Sequence, residues 1–294
     1  MARLSPPLRW YGGKYYHAPK IVALIAKLPH TTYVEPYGGA ASVLLAKPPS
    51  PVEVWNDLDG RLVNFFTVLR DKALREGLLE ALAFTPYSRA EFAACCEGAD
   101  IDDPVEAARR FFVLCQQATS STGCQEKLTP GYWAKSVGVS RRGMAQNVSR
   151  WWGNISGLPA VADRLASVLY EHMDAMKLIP QYDTDDTLFY CDPTYVHGSR
   201  ARGKGQVYKH EMTDRQHEEL VDLVGSLKGM AIVSGYDNPV YRGRMAGWGR
   251  IEMNSKARSS VQATTRDKSG ATPDRVEVLW LNPSAMAVVR GAES

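Results

Sequence analysis

The stretch TYVEPYGGAASVLLAK, residues 32–47, joins a short apolar strand, a glycine pair and a run of small apolar residues. In open α/β sheets a ligand binds beside such a turn, where a strand passes through glycines into a helix. Gly38 and Gly39 lack a Cβ atom, so the backbone at this turn can come close to a ligand. We therefore predict a strand over residues 32–36 and a helix over residues 40–47.

Strand and helix patterns alternate outward from this stretch. VEVWN, residues 52–56, predicts a second strand, and residues 58–71 carry apolar side chains at helical spacing. An amphipathic helix is predicted over residues 213–227, with Thr213 as its cap. Four further strands are predicted, over residues 168–172, 187–191, 230–235 and 275–282. Strands separated by helices predict a mostly parallel sheet with helices on both faces.

The interval 71–165 carries mostly helical patterns, interrupted by a Gly/Ser/Thr-rich stretch at residues 119–138. Because it separates the first two predicted strands from the other four, we interpret it as a unit inserted into the sheet. The predicted fold is therefore α/β with a helical insert, and the sheet domain is built from residues 1–70 and 166–294.

Composition excludes several classes of protein. The chain has 294 residues, 45% hydrophobic and 23% charged, which is ordinary for a globular protein. No run approaches the roughly 18 apolar residues of a membrane span, and the first residues lack the apolar core of a signal peptide. The five cysteines show no C-x-x-C pair and no Cys/His cluster with zinc spacing. We expect an intracellular protein with reduced thiols, no membrane association and no metal.

The net charge of +3 is too small to indicate nucleic-acid binding by itself, but its distribution is uneven. No acidic residue lies between Glu126 and Asp163, and none lies within residues 197–210. Both segments carry lysines and arginines. Taken alone, each is equally typical of a solvated loop.

An acidic residue follows the glycine turn at the end of the next strand. Asp57, in WNDLDG, stands about 20 positions after the glycines, where a carboxylate commonly accepts the hydroxyl protons of a ribose. Neither G-x-G-x-x-G nor a phosphate-binding P-loop is present, which argues against a dinucleotide. From these residues alone, a simple tight turn at Gly38-Gly39 and a helix cap at Asp57 remain open alternatives.

A second motif lies at FYCDPTY, residues 189–195, where a short apolar strand runs into Asp192 and Pro193. A carboxylate at the tip of a buried strand is costly to desolvate unless something binds it. Asp192 is therefore a candidate functional residue, and aromatic side chains flank it on both sides.

Together these motifs resemble the Dam-like DNA adenine-N6 methyltransferases, which use S-adenosylmethionine. The matching blocks are PPLRWYGGKYYHAPKI (6–21), YVEPYGGAASVLLAK (33–47) with WNDLDGRLVNFF (55–66), YEHMDAMKLI (170–179), TLFYCDPTY (187–195) and RVEVLWLNP (275–283). They follow the order of that group and span nearly the whole chain. The resemblance implies a Rossmann-like methyltransferase sheet, with residues 71–165 as an inserted DNA target-recognition subdomain.

The resemblance also implies roles for individual residues. Trp10 would contact the cofactor through its ring and Lys14 through the methionine carboxylate; the residues alone allow a core aromatic and a solvated surface charge instead. Asp57 would hold the ribose hydroxyls, and Asp174 would lie near the cofactor adenine. The implied cofactor-binding set is Trp10, Lys14, Glu35, Gly39, Asp57, Asp174 and Asp192, and the implied catalytic set is Asp192, Pro193 and Tyr195.

Two positions depart from the family pattern. Thr194 stands where the catalytic motif usually has a second proline, which would fix the backbone φ angle. Ala41 stands at a common glycine position in the turn. These departures permit a rival interpretation, a catalytically weak DNA-binding homologue.

The implied chemistry follows from adenine itself, whose exocyclic nitrogen is a poor nucleophile because its lone pair is delocalised into the ring. The Asp192 carboxylate and the Pro193 carbonyl can accept its two protons, and Asp192 can stabilise the positive charge that develops. Tyr195 is expected to stack on the base, a contact worth about 1–3 kcal/mol. A base inside a duplex cannot be reached, so base flipping is predicted. This chemistry requires no metal.

The predicted function is thus site-specific methylation of adenine N6 in double-stranded DNA, with cytosine N4, RNA or a protein amide as alternative acceptors. The predicted DNA-binding residues are Lys127, Lys135, Arg141, Arg142, Arg200, Arg202 and Lys204. Whether the arginines meet guanine edges or phosphates stays open. We expect a cytoplasmic enzyme, in a bacterial cell or a virus-infected bacterial cell. The recognition sequence, the oligomeric state and any cognate restriction enzyme (restriction-modification) are left open by these residues.

Overall fold

A seven-stranded sheet forms the centre of the molecule. The computed structural model describes residues 4–97, 101–119, 133–195, 211–253 and 276–291. Within these ranges the sheet strands are β1 (Thr32–Glu35), β2 (Val52–Asn56), β5 (Leu169–Glu171), β6 (Thr187–Cys191), β7 (Met230–Tyr236), β8 (Gly249–Met253) and β9 (Glu277–Leu281). Two shorter strands, β3 (Ser140–Arg141) and β4 (Met144–Ala145), form a separate hairpin.

The strand order is β5-β2-β1-β6-β7-β9-β8. The first five strands are parallel, and β9 runs antiparallel to both of its neighbours. From β1 the chain builds outward through β2 to β5 and then returns to place β6 on the other side of β1. The order therefore reverses between β1 and β6, and in doubly wound sheets the ligand crevice lies at the carboxyl ends of the strands at such a point.

Helices cover both faces of the sheet, which confirms the predicted α/β architecture. They are α1 (Ala18–Ile25), α2 (Gly60–Arg70), α3 (Lys72–Ala83), α4 (Arg89–Cys96), α5 (Pro104–Gln117), α6 (Gln146–Leu165), α7 (Ala175–Leu178), α8 (Asp214–Gly225), α9 (Pro239–Arg244) and α10 (Pro283–Gly291). Side chains alternate across the strands: Tyr33 belongs to one buried cluster, and Val34 belongs to the other. This alternation is the two-residue period of a strand buried on both faces.

The helices of residues 72–165 pack on one face of the sheet, where their apolar side chains share a cluster with those of β1 and β2. Phe65 of α2 stacks on Phe112 of α5, with ring centroids 6.0 Å apart. At the end of α6, Arg164 donates to both carboxylate oxygens of Glu53 on β2, at 2.6 and 2.8 Å. The helices of residues 72–165 are thus joined to the sheet by an ion pair at the end of α6, just before the chain enters β5.

The helix predicted over residues 40–47 is wrong. This segment forms a series of turns with two α-type bonds, from Leu45 N to Ala41 O and from Lys47 N to Val43 O. Ala41 has a φ of 57°, so a right-handed helix cannot include it, and Pro48-Pro49 disfavours helical geometry just beyond. Too few residues remain between these limits for a stable helix.

The other local predictions agree with the structure to within a few residues, and Thr213 forms a reciprocal capping box with Gln216 at the start of α8. Strand β8 was not predicted. Its central residues, 250–252, are exposed and include two charges, so the segment lacks the apolar pattern of a buried strand. Across the described ranges, no helix combines the length and the apolar character that crossing a bilayer requires.

Candidate active site

A cavity of about 430 Å³ lies at the carboxyl ends of β1, β2 and β6, beside the point where the strand order reverses. This volume is within the range of small-molecule sites, roughly 300–1,000 Å³. The cavity brings together every residue of the predicted cofactor-binding and catalytic sets. They are Trp10, Lys14, Glu35, Gly39, Asp57, Asp174, Asp192, Pro193 and Tyr195.

The glycine turn and its acidic partner are directly bonded. The backbone N–H of Gly39 donates to Asp57 Oδ2 at 2.9 Å, and that of Asp59 donates to Oδ1 at 2.9 Å. Asp59, not Asp57, caps α2, since its side chain accepts from Arg61 N at 3.0 Å. Burial raises the pKa of Asp57 to about 6, against the lowering effect of the two backbone donors. Asp57 is thus aimed into the cavity rather than used as a helix cap.

Trp10 lies against the turn on its cavity side. A Cβ atom built on Gly39 would stand 3.0 Å from Trp10 Cδ1, and the φ of Gly39 is 49°. The indole also contacts Phe111 of α5 edge-on, with ring centroids 6.1 Å apart. Position 39 therefore requires glycine for two reasons, its left-handed backbone and the close indole.

The departure at Ala41 coincides with unusual backbone geometry. Its φ of 57° is a left-handed conformation, which costs a residue with a Cβ roughly 1–2 kcal/mol. The residue is buried, with 1% of its surface exposed. The turn thus keeps the conformation that a glycine would adopt, and the buried methyl group partly offsets the strain.

Asn56, which the sequence analysis did not single out, joins three of the loops around the cavity. Its Nδ2 donates to Pro36 O at 2.8 Å and to Met173 O at 3.0 Å, and Met173 N donates to its Oδ1 at 3.0 Å. These bonds position Asp174, which is exposed at the cavity rim and caps α7 by accepting from Met176 N. The sequence signal that could have found it is an amide side chain at the last position of β2, directly before Asp57.

Lys14 lies among oxygens at the base of the site. It is 3% exposed, and its Nζ lies 2.8 Å from Asp192 Oδ1, 2.9 Å from Glu277 Oε1 and 3.1 Å from Tyr195 Oη. It also donates to Gly12 O at 3.1 Å. Although burial opposes its charge, the two carboxylates raise the pKa of Lys14 above the ordinary lysine value. The alternative of a solvated surface lysine is therefore excluded.

Asp192 directly follows β6 and is partly buried. Burial raises its pKa to about 6; Lys14 opposes this rise, and Glu277 adds to it. Glu35, at the end of β1, is also buried and accepts from Tyr33 Oη at 2.8 Å. Burial raises the pKa of Glu35 to about 8, so this group is mostly protonated at neutral pH.

Tyr195 is buried and stacks on Tyr236, the last residue of β7, with ring centroids 4.3 Å apart and planes at 23°. Tyr236 and Glu277 were missed by the sequence analysis: Tyr236 stands in none of the matching blocks, and Glu277 lies in the block 275–283 without a role assigned to it. Thr194, the second departure, has a hydrogen bond that proline could not make: its Oγ1 accepts from Met212 N at 3.1 Å.

Of the predicted DNA-binding residues, Lys135, Arg141 and Arg142 are described, and all three are exposed. Arg141 ends β3, and Arg142 and Gly143 form the two-residue loop to β4, with φ angles of 55° and 73°. Two left-handed residues are the signature of a type I′ hairpin turn. Lys127, Arg200, Arg202 and Lys204 lie outside the described residues.

In the part of the chain that the structure describes, no group of three or more His, Cys, Asp or Glu side chains is arranged to hold a metal ion.

Comparison with known proteins identifies the first third of the chain. Residues 10–112 match the family model described as D12 class N6 adenine-specific DNA methyltransferase. The match includes Trp10, Lys14, Gly39 and Asp57, whereas Asp192 lies beyond it. No curated protein matches the chain. Residues 10–112 are therefore similar to the D12 class N6 adenine-specific DNA methyltransferases, and this similarity implies an S-adenosylmethionine-dependent enzyme that methylates adenine in DNA.

Proposed function

We propose that this enzyme acts on an adenine flipped out of double-stranded DNA at a specific sequence, with Asp192, Pro193 and Tyr195 as its catalytic residues. Adenine-N6 methylation of DNA follows from the family. The observation that carries the residue roles is the position of Asp192 in the same cavity as Trp10 and Asp57. A carboxylate that ends a central strand can therefore meet an acceptor base and a methyl donor together.

The residues that line the cavity support binding of S-adenosylmethionine. The bare Gly39 backbone lies beside the Trp10 indole, and the Asp57 carboxylate keeps lone pairs for ribose hydroxyls after accepting two backbone N–H groups. Asp57 and Asp192 supply negative charge toward a cationic ligand. Trp10, Glu35, Gly39, Asp57 and Asp174 would hold the cofactor, which supplies an electrophilic methyl group on a sulfonium when it is bound.

Lys14 is proposed to contact the methionine carboxylate of the cofactor, but protein oxygens already surround its ammonium group. In this structure its ammonium nitrogen lies within 3.1 Å of four oxygens, two of them carboxylate oxygens. This arrangement supports a second role, in which Lys14 neutralises Asp192 and limits the cost of burying that carboxylate.

Asp192 would accept a hydrogen bond from the adenine amino group through Oδ2. Among the described residues, Oδ2 has no hydrogen-bond partner, whereas Oδ1 is bonded to Lys14. The Pro193 carbonyl would accept a hydrogen bond from the second N–H of the same amino group. With a pKa of about 6, Asp192 is ionised at neutral pH and acts as an acceptor. The nitrogen lone pair is then turned out of conjugation, and Asp192 stabilises the positive charge that forms on nitrogen.

We propose that the flipped adenine enters between Tyr195 and Tyr236. The two rings are stacked on each other in this structure, so the base would replace one aromatic contact with two. Aromatic stacking is sequence-tolerant and is worth about 1–3 kcal/mol for each base. The exchange would offset part of the energy needed to extrude the base from the duplex.

Residues 71–165 are proposed as the target-recognition subdomain, with the hairpin of β3 and β4 as its DNA-facing element. Arg141 and Arg142 stand at its tip, and Arg142 keeps a strained left-handed backbone there. Lys135 would support it, and Lys127, Arg200, Arg202 and Lys204 belong to the same proposal. A DNA substrate would place the enzyme in the cytoplasm of a bacterial or virus-infected cell.

The test begins with the product. Sequencing modified bases in DNA from cells that express the chain defines the target site, and nucleoside mass spectrometry should find N6-methyladenine. Tritiated methyl transfer to that duplex should be lost in Asp192→Ala with cofactor binding retained. The exposed Asp185→Ala serves as the control and should leave transfer unchanged. Formation of N4-methylcytosine, or wild-type turnover in Asp192→Ala, would overturn the proposal.

Base flipping is tested separately. With 2-aminopurine at the target position, binding should raise its fluorescence as the base leaves the stack. An unchanged signal in a complex that still methylates the natural duplex would refute extrusion.

A further inference from the structure

We propose that Glu277 is a positioning residue for methyl transfer: it holds the Lys14 ammonium so that Lys14 bonds one oxygen of Asp192 and leaves the other for the acceptor amine. The inference rests on the proposed role of Asp192. No motif or comparison assigns a role to Glu277, and the proposed chemistry does not otherwise use it.

Glu277 is held rigidly. It is the first residue of β9, is 3% exposed and lies opposite Tyr236 of β7 in the sheet. Its Oε1 lies 2.9 Å from Lys14 Nζ and accepts from Ser234 Oγ at 3.1 Å. Ser234 is fully buried on β7. The carboxylate is thus oriented by two strands and by a serine that cannot move into solvent.

Lys14 needs such a partner because an ammonium is a compact charge on a flexible stem. With Glu277 present, the ammonium lies between two carboxylates and meets Asp192 through Oδ1. Without Glu277, Asp192 would be its only carboxylate partner among the residues that the structure describes, and the ammonium could move to lie between Oδ1 and Oδ2. The acceptor oxygen proposed for the adenine amine would then be engaged by lysine.

The charges of the cluster support the same conclusion. One lysine and two carboxylates give the ionised cluster a net charge of −1, which keeps electron density on Asp192 despite its lysine partner. The groups that face Glu277 are Lys14, His17 at the start of α1, Asp192 and Tyr195 after β6, Tyr190 on β6, and Ser234 on β7. Lys14 is the only one of these described groups whose side chain meets both carboxylates.

The test uses Glu277→Gln, which keeps the shape and the acceptor oxygen but removes the charge. Titration of the Asp192 carboxyl by ¹³C NMR should show its midpoint at lower pH than in the wild type, because a neighbouring negative charge is gone. Single-turnover methyl transfer at saturating DNA and cofactor should fall by about tenfold or more, because the ammonium can then engage the acceptor oxygen and the carboxylate is also less basic. Cofactor affinity should stay within about twofold, because the charge removed lies outside the proposed cofactor contacts.

Two further variants complete the design. Glu277→Asp restores the charge on a shorter side chain. It should recover part of the methyl-transfer rate and bring the titration midpoint of Asp192 back toward its wild-type pH. Glu252→Gln, on the exposed face of the neighbouring strand β8, should change neither.

An unchanged NMR midpoint in Glu277→Gln refutes the inference whether or not the enzyme turns over. The rate and the cofactor affinity could also fall together with no shift of the midpoint. That result would assign Glu277 a purely structural role and would also refute the inference. Absence of methyl transfer in the wild type refutes the proposed function instead, and the NMR titration still decides whether Glu277 acts on the Asp192 carboxyl.

Discussion

The ammonium nitrogen of Lys14 lies 2.8 Å from Asp192 Oδ1, joining the N-terminal segment to the turn that ends β6. Both side chains are largely withdrawn from solvent, and Glu277 meets the same ammonium on its other side. The candidate site is thus organised around one shared cation, and removing that cation should affect both stability and charge.

We expect Lys14→Met to destabilise the fold by about 3–5 kcal/mol at neutral pH, because it leaves two buried carboxylates without their cation. Lys14 lowers the pKa of Asp192, so loss of the cation raises the folded-state pKa of this carboxyl further above its unfolded value. The destabilisation is therefore complete above the folded pKa and shrinks as the pH falls through it. Urea unfolding across this pH range measures the effect. The exposed Lys20→Met is the control, and an equal loss of stability at all pH values would contradict the prediction.

The rate of methyl transfer should depend on the ionisation of Asp192. Its pKa of about 6 is raised by burial, and the ionised form is the one that accepts the amine proton. The single-turnover rate should therefore rise with pH through about 6 and reach a plateau above it. The measurement requires saturating cofactor at each pH, since Asp57 titrates in the same range. A rate that stays constant through this interval would argue against Asp192 as the acceptor.

Substitution of two neighbouring aspartates should have different effects, one on cofactor binding and the other on the stability of the fold. Asp57→Ala removes the proposed acceptor of ribose hydroxyls and should weaken cofactor binding about tenfold to a hundredfold by calorimetry. Asp59→Ala removes the cap of α2 and should cost about 1 kcal/mol of stability, with cofactor affinity nearly unchanged. If Asp59→Ala weakened cofactor binding as much as Asp57→Ala, the proposed role of Asp57 would lose its support.

Thr194 should contribute through its hydroxyl. Its Oγ1 accepts from Met212 N, just before the capping box of α8, so the catalytic turn is bonded to a helix that packs on the core. Thr194→Val keeps the side-chain shape but removes this acceptor, and we expect the methyl-transfer rate to fall about tenfold through misplacement of the turn. Thr194→Ser should restore most of the rate. Equal rates in the valine and serine variants would show that the bond has no catalytic effect.

The hairpin tip should determine part of the salt dependence of DNA binding. Arg141→Gln with Arg142→Asn removes two charges and keeps a residue at position 142 that tolerates the left-handed turn. If both arginines contact phosphates, the slope of log affinity against log salt should become shallower by about 2. Fluorescence anisotropy over a salt series measures it, with Lys20→Met as the control. An unchanged slope would show that the two arginines make no phosphate contacts and that the hairpin is an ordinary surface loop.

Local chemistry explains why much of the site could be predicted from the sequence. A buried strand is recognisable from its apolar residues, and a close backbone approach from Gly38-Gly39. A candidate functional carboxylate is recognisable from its position after a strand, as at Asp57 and Asp192, which both line the cavity. The helix predicted over residues 40–47 failed because left-handed geometry at Ala41 is set by the packed turn, and no residue pattern reports it.

The sequence by itself thus determined the alternation of strands and helices and the position of the glycine turn, because each depends on neighbours within one element. Only the tertiary structure decided that Lys14 joins Asp192 to Glu277, that Tyr236 stacks on Tyr195 and that Asn56 joins three loops. These contacts connect distant parts of the chain; Lys14 and Tyr195, for example, are 181 residues apart. Their partners are chosen by the register and packing of the sheet, which no local pattern specifies.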